Sequence, residues 1–153
     1  MILIRIFHKA TVDITPEMAQ YSNNLVIPDE YINSKIYVIR DKKVMLDRDL
    51  AELFNVKAIR LREQVKRNIE KFPLHFMFQL SEEEVEIMVS QNAIPSKQHL
   101  GGFLPYAFSE YGVIQLANVL KSARATQVSI KVIEIFVKMR EMITDTLRLH
   151  RDI

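Results

Sequence analysis

Between residues 46 and 73 the apolar side chains fall into two short helical registers separated by a brief interruption, a pattern that few folds accommodate. Leu46, Leu50, Leu53 and Phe54 stand at i, i+4, i+7 and i+8, which is one helical face. Asp47 reads as the N-cap of this first helix, and Asp49 and Glu52 lie toward the positive end of its dipole. Asn55 is suited to end it, because Asn tolerates the left-handed backbone of a tight turn. A second register runs over residues 57–71. At about 100° per residue, Ala58, Leu61, Val65, Ile69 and Phe72 gather on one side, and Pro73 stops the helix. Two short helices joined by so brief a turn make a helix-turn-helix spanning about residues 47–71.

The other side of the second helix carries Arg60, Gln64, Arg67 and Lys71, spaced four, three and four apart, so they form one stripe. Lys and Arg neutralise phosphates; Arg pairs bidentately with guanine and Gln with adenine. Arg60, Gln64 and Arg67 are therefore the candidates for base contacts, and Lys57, Lys66 and Lys71 for backbone contacts. Many such stripes are only solvated faces, and Glu63 and Glu70 share this one. Glu63 is spaced to pair with Arg67 at i+4. Ile59 lies off the apolar sector and either meets another element or faces outward, where it would suit a thymine methyl. Asn68 borders the core and is expected to bond the main chain near Phe72 and Pro73.

The net charge is only +2, but it is unevenly spread. Residues 35–79 hold eleven Lys and Arg against six acids, a local charge of +5, while the segments on either side are slightly negative. A basic patch confined to one element is the electrostatic footprint of nucleic-acid binding. Upstream of the first helix, residues 35–40 and 44–46 are strand-like and flank Asp41, Lys42 and Lys43. This reads as a hairpin with a three-residue connection, with Lys42 and Lys43 at its tip as a wing against the DNA backbone.

Residues 1–33 are weakly patterned and read as an extension: a strand over residues 1–15, then loop around Pro16, Ser22–Asn24 and Pro28. The first seventeen residues are expected to be dispensable. Met1–Phe7 is apolar but short and holds Arg5, so it is not read as a signal peptide. Downstream, residues 75–80 alternate as a strand, and Ser81 with Glu84 forms a capping box for a helix that turns Val85, Met88 and Val89 inward. Residues 92–102 read as loop and 103–108 as extended around Pro105. Ser109 caps a helix to about Lys121. A long helix over residues 126–150 carries Val128, Val132, Ile135, Met139, Met142, Thr146 and Leu149 close to a heptad seam. It also carries Ile130, Ile133, Phe136, Val137, Ile143 and Leu147. This is more apolar surface than one packing face needs, so Val132, Ile135, Phe136, Met139, Met142 and Ile143 are candidates for helix packing or a homodimer interface.

Other classes of function find little support. With no Cys, disulfides, thiolate metal sites and a cysteine nucleophile are excluded, which fits a reducing cytoplasm. No apolar run approaches the roughly 18 residues of a membrane span. His8, His75, His99 and His150 have no metal-ligand spacing. The carboxylates Glu82, Glu83, Glu84 and Glu86 suit a helix N-terminus for dipole reasons, and Ser109 has no evident His partner. Three glycines are too few for a phosphate-cradling loop. The chain is therefore not expected to be an enzyme, and no cofactor, metal, membrane or small-molecule ligand is implied.

Four blocks occur in order: LDRDLAELFNV from Leu46, VKRNIEKFPLHFMFQL from Val65, LPYAFSEYGVIQLANVLKSARA from Leu104, and VSIKVIEIFVKMRE from Val128. In this order and spacing the chain closely resembles the phage and bacterial ORF-six N-terminal domain family, related to KilA-N, over about residues 35–141. The resemblance implies a DNA-binding, regulatory or antirepressor-like protein of prophage or mobile-element origin. Leu74 and His75 depart from it where acids are common, Ser109 where Thr is, and Tyr111 where Gln is; residues 93–99 match little.

The expectation is an α+β fold, with a small hairpin or three-stranded sheet around the helix-turn-helix, then a helical region ending in a long helix. Residues 34–125 would form the DNA-binding domain and 126–153 the packing or dimerisation helix. The expected partner is double-stranded DNA, bound by a homodimer in the cytoplasm. The alternative is an interaction module that binds a repressor-type protein through its C-terminal helices.

Overall fold

The computed structural model describes residues 27–151, with side chains through Ile143. The strand expected over residues 1–15 and the loop at Pro16 and Ser22–Asn24 lie outside the described residues, as do the side chains of Thr146, Leu147 and Leu149.

The first described element falls within the stretch read as an extension. Helix α1 (Asp29–Asn33) turns Ile32 into the core, where it is fully buried beside Ile27. A helix of five residues carries too few apolar positions to show a period.

Strands β1 (Ile36–Ile39) and β2 (Lys42–Leu46) pair antiparallel, with Ile39 opposite Lys42. The connection is therefore two residues long, not three. Arg40 and Asp41 both take positive φ, 54° and 61°, the turn whose twist matches that of the flanking strands. Lys42 and Lys43 consequently lie within β2 rather than at the tip. Arg40 is unusual in such a conformation, and its side chain is firmly held. Its Nε and Nη2 donate to the Glu84 carboxylate at 2.9 and 2.8 Å, and its guanidinium lies 4.2 Å from the centre of the Phe78 ring. Arg40 and the Ser81 amide hold the Glu84 carboxyl down at about 2.

Next come α2 (Asp47–Phe54), α3 (Ala58–Arg67), a 3-10 turn (Ile69–Lys71) and β3 (Met77–Gln79). Helix α4 (Glu82–Ser90) begins with the expected capping box: Ser81 Oγ accepts from the Glu84 amide and Glu84 accepts from the Ser81 amide. Then follow a second 3-10 turn (Gln98–Leu100), β4 (Tyr106–Phe108), α5 (Glu110–Leu120) and α6 (Ala123–Arg151). The fold is α+β, as expected, with a four-stranded antiparallel sheet in the order β1-β2-β4-β3. The strand added to the expected sheet is β4, three residues just behind Pro105, and it sits between β2 and β3.

Alternation along the strands gives each sheet face its own core. Val44, Leu46, Phe78, Leu80 and Ala107 pack with Val85, Met88, Ile94 and Leu100 from α4 and the segment after it. Met45, Met77 and Phe108 point to the opposite face, onto α2, α3, α5 and α6. Helix α6 starts at Ala123, slightly before the expected Thr126, and buries Val128, Val132, Ile135 and Phe136 there, with Met139 packed against them. Four of the six candidates for helix packing or a dimer seam, Val132, Ile135, Phe136 and Met139, thus pack within one chain. The Arg124 Nε donates to the Leu53 carbonyl at 3.0 Å, so α6 satisfies an orphan acceptor at the end of α2.

One carboxylate beside this junction is held at a cost. Asp49 on α2 is largely buried near Lys35, 3.9 Å away, and burial pushes its carboxyl up to about 6. The folded state then holds this proton more tightly than the unfolded chain, so stability falls as the pH rises from about 4 to about 6. Asp49→Asn should flatten that slope in urea titrations and raise stability at pH 7 by about 1–3 kcal/mol. An unchanged slope would refute this account.

Candidate nucleic-acid interface

The helix-turn-helix is assembled from local rules. Asn55 ends α2 at φ 56° and ψ 44°, and the Val56 amide bonds back to the Ala51 carbonyl at 2.9 Å. Lys57 then stands in extended conformation before α3. Leu61 and Val65 are fully buried against α2 and α5.

Asp47 does not cap α2; Leu46 occupies the N-cap and Asp47 is the first helical residue. Its carboxylate is buried. It accepts from the Arg48 amide at 2.8 Å, the Tyr106 amide at 3.2 Å and the Arg62 guanidinium at 3.5 Å. Strand β2 has ended here, and the carboxylate takes a β4 amide in place of a strand partner. Burial raises its pKa, against the opposing pull of those three donors. Arg62 in turn lies 5.0 Å from the centre of the Phe103 ring. Asp47 and Arg62 thus fix α3 to the sheet, a role that their spacing in the sequence does not reveal.

Helix α3 ends at Arg67, four residues short of Lys71. Asn68 leaves the helical backbone at φ −122°, and its Nδ2 donates to the Gln64 carbonyl at 2.8 Å rather than to main chain near Pro73. Ile69, placed by the regular period on the apolar face, is consequently 53% exposed. Lys71 sits in the 3-10 turn, off the stripe, with its carbonyl bonded by Gln115.

The structure gathers Arg60, Gln64 and Arg67 on one side of α3. With Glu63 they line a groove of about 450 Å³ whose other wall is Val56, Val119 and Leu120. Arg60 and Arg67 are exposed, while Gln64 is only half-exposed in the groove. Lys57 and Lys66 are exposed as well. Measured from the buried pair Leu61 and Val65 at about 100° per residue, Glu63 lies nearly opposite, with Ile59, Lys66, Arg67 and Arg60 around it. Ile59 is 54% exposed and belongs to neither core cluster. The i+4 pair of Glu63 with Arg67 does not form.

Lys42 and Lys43 stand apart from this group. Alternation puts Lys42 on the sheet side that α4 covers and Lys43 on the side of Met45. Of the C-terminal candidates, Val132, Ile135, Phe136 and Met139 belong to the core, whereas Met142 and Ile143 are exposed. No described helix is long and apolar enough to cross a membrane.

Among the described residues, ion pairing leaves the cations on and beside α3 free of a carboxylate, along with Lys42, Lys43, Arg48, Lys121 and Arg124 on other elements. Lys35, Arg40, Arg62, Lys97, Lys131, Lys138 and Arg140 all have carboxylate partners. Among the described residues, Lys57, Arg60, Lys66, Arg67 and Lys71 have none within 4 Å. A helix-turn-helix set on a four-stranded antiparallel sheet, its second helix presenting unpaired cations to solvent, defines the class of domain. Residues 34–119 match the family described as the ORF6N domain, and the chain belongs to that family of phage and bacterial domains. Among curated proteins and solved structures, nothing matches the chain.

Proposed function

We propose that the chain is a DNA-binding regulator of prophage or mobile-element origin that lays α3 into the major groove of double-stranded DNA. The observation that carries this reading is the set of unpaired cations on and beside α3. Among the described residues Lys42, Lys43, Arg48, Lys121 and Arg124 also lack a carboxylate within 4 Å, but they are spread over β2, α2 and the α5–α6 junction, whereas Lys57, Arg60, Lys66, Arg67 and Lys71 gather on one short helix and its two ends. Cations left free on the outer face of the second helix are available to phosphates. Arg60, Arg67, Lys57, Lys66 and Lys71 serve that role, with Lys42 and Lys43 as outlying contacts. A homodimer would double these contacts and fix a half-site spacing.

Replacing Arg60 and Arg67 together with Ala should abolish binding in a titration of labelled duplex at low salt. Stability should stay within about 0.5 kcal/mol, because both side chains are exposed and unpaired. Unchanged duplex binding would remove α3 from the interface. A second reading, docking of a repressor-type protein on the C-terminal helices, is favoured by Ile130 and Ile143, each 52% exposed on α6. It predicts no duplex binding at any salt concentration and a complex that survives the Arg60 and Arg67 replacements.

A further inference from the structure

We infer that Ile59 and Glu63 are the specificity-determining pair on α3, reading a thymine methyl and a cytosine amino group, while Arg60 and Arg67 hold the backbone beside them. This rests on the DNA-binding reading and sharpens it. The argument begins with direction. A helix entering the major groove presents first the side chains farthest from its own core. Those are Glu63 and, around it, Ile59, Lys66, Arg67 and Arg60; Gln64 is turned aside into the groove against Val119 and Leu120.

Glu63 is the unexpected member. It lines the same groove as Arg60 and Arg67, and Lys66 follows three residues later. Yet it makes no ion pair with any of them among the described residues. A carboxylate in the middle of a cationic face is repelled by phosphate, so it weakens binding to any duplex regardless of sequence. It becomes favourable where a base edge offers a donor, and in the major groove the cytosine amino group is the base donor that Glu and Asp accept from. The group therefore lowers non-specific affinity and raises discrimination.

Ile59 follows the same logic with the opposite polarity. It is a large apolar side chain 54% exposed on an otherwise charged face, outside both core clusters. The apolar feature on the major-groove floor is the thymine methyl. Ile59 and Glu63 are four residues apart, about 6 Å along the helix, which spans roughly two base-pair steps. The expected half-site therefore carries a T and a C within about two steps of each other.

The test is a binding selection from random duplexes with the full chain, its Ile59→Ala variant and its Glu63→Gln variant, at one salt concentration. The wild type should enrich a motif holding that T and C. Ile59→Ala should lose the T preference about tenfold and keep the C. Glu63→Gln should lose the C preference and bind unselected duplex more tightly, with melting temperatures of both variants unchanged. A motif that persists in both variants overturns the inference, and so does wild-type binding without any motif, which leaves the backbone-binding reading standing. Absence of wild-type binding to any duplex overturns that reading and this one together.

Discussion

Gly112→Ala is expected to cost more than about 3 kcal/mol and to bring the domain close to unfolding. Gly112 is the third residue of α5, and a Cβ built on it would lie 2.0 Å from the Phe76 carbonyl oxygen and 2.9 Å from its carbon. The obstacle is main chain, so no rotamer change relieves it. That carbonyl is also immobile, because it accepts from the Ser109 amide at 3.0 Å and from the Ser109 hydroxyl at 3.3 Å. Adding one methyl therefore demands that the start of α5 move away from the segment just before β3, which pulls Val113 and Leu116 out of their core packing. Urea unfolding should show a large fall in midpoint. A fall of less than about 0.5 kcal/mol would mean that the helix has room it is not seen to have.

Asp47→Ala should cost about 3–5 kcal/mol, the range for removing one partner of a buried pair. The loss has two parts: the Tyr106 amide is left without its acceptor, and the largely buried Arg62 guanidinium is left without its carboxylate. The parts are separable. Arg62→Ala alone leaves the carboxylate with two amide donors and should cost less, and the double replacement should cost less than the sum. Simple additivity would show that the two side chains act independently. Because Arg62 anchors α3, the Asp47 variant should also bind duplex more weakly even where it remains folded.

Elements whose signal is local were legible in the sequence. The capping box at Ser81, the left-handed Asn55, the Ser109 cap and the two helices of the helix-turn-helix each follow from a few adjacent residues. What escaped depends on partners distant in the chain. Strand β4 is three residues long and becomes a strand only by lying between β2 and β3. Asp47 resembles a cap by position, but Tyr106, 59 residues away, claims its carboxylate. Helix α3 stops early because a single Asn side chain competes for the helix's own carbonyl. At the candidate site, the residue types and the helix were readable, but the direction of each side chain was not. Ile69 shows why: a regular period carried past Asn68 puts it inside, and the break puts it outside. Gly112 carries no signal of its own, because a glycine inside a good helical pattern means nothing until the main chain it touches, here at Phe76, is known.

The core beneath the helix-turn-helix has one more implication. The family match covers residues 34–119, yet Ile27 and Ile32 precede it, and Ala125, Val128, Val132, Ile135 and Phe136 follow it. The matched segment is thus smaller than the unit that packs as one core. A chain trimmed to residues 34–119 would lose the far wall of its own interior, together with the Arg124 side chain that finishes α2.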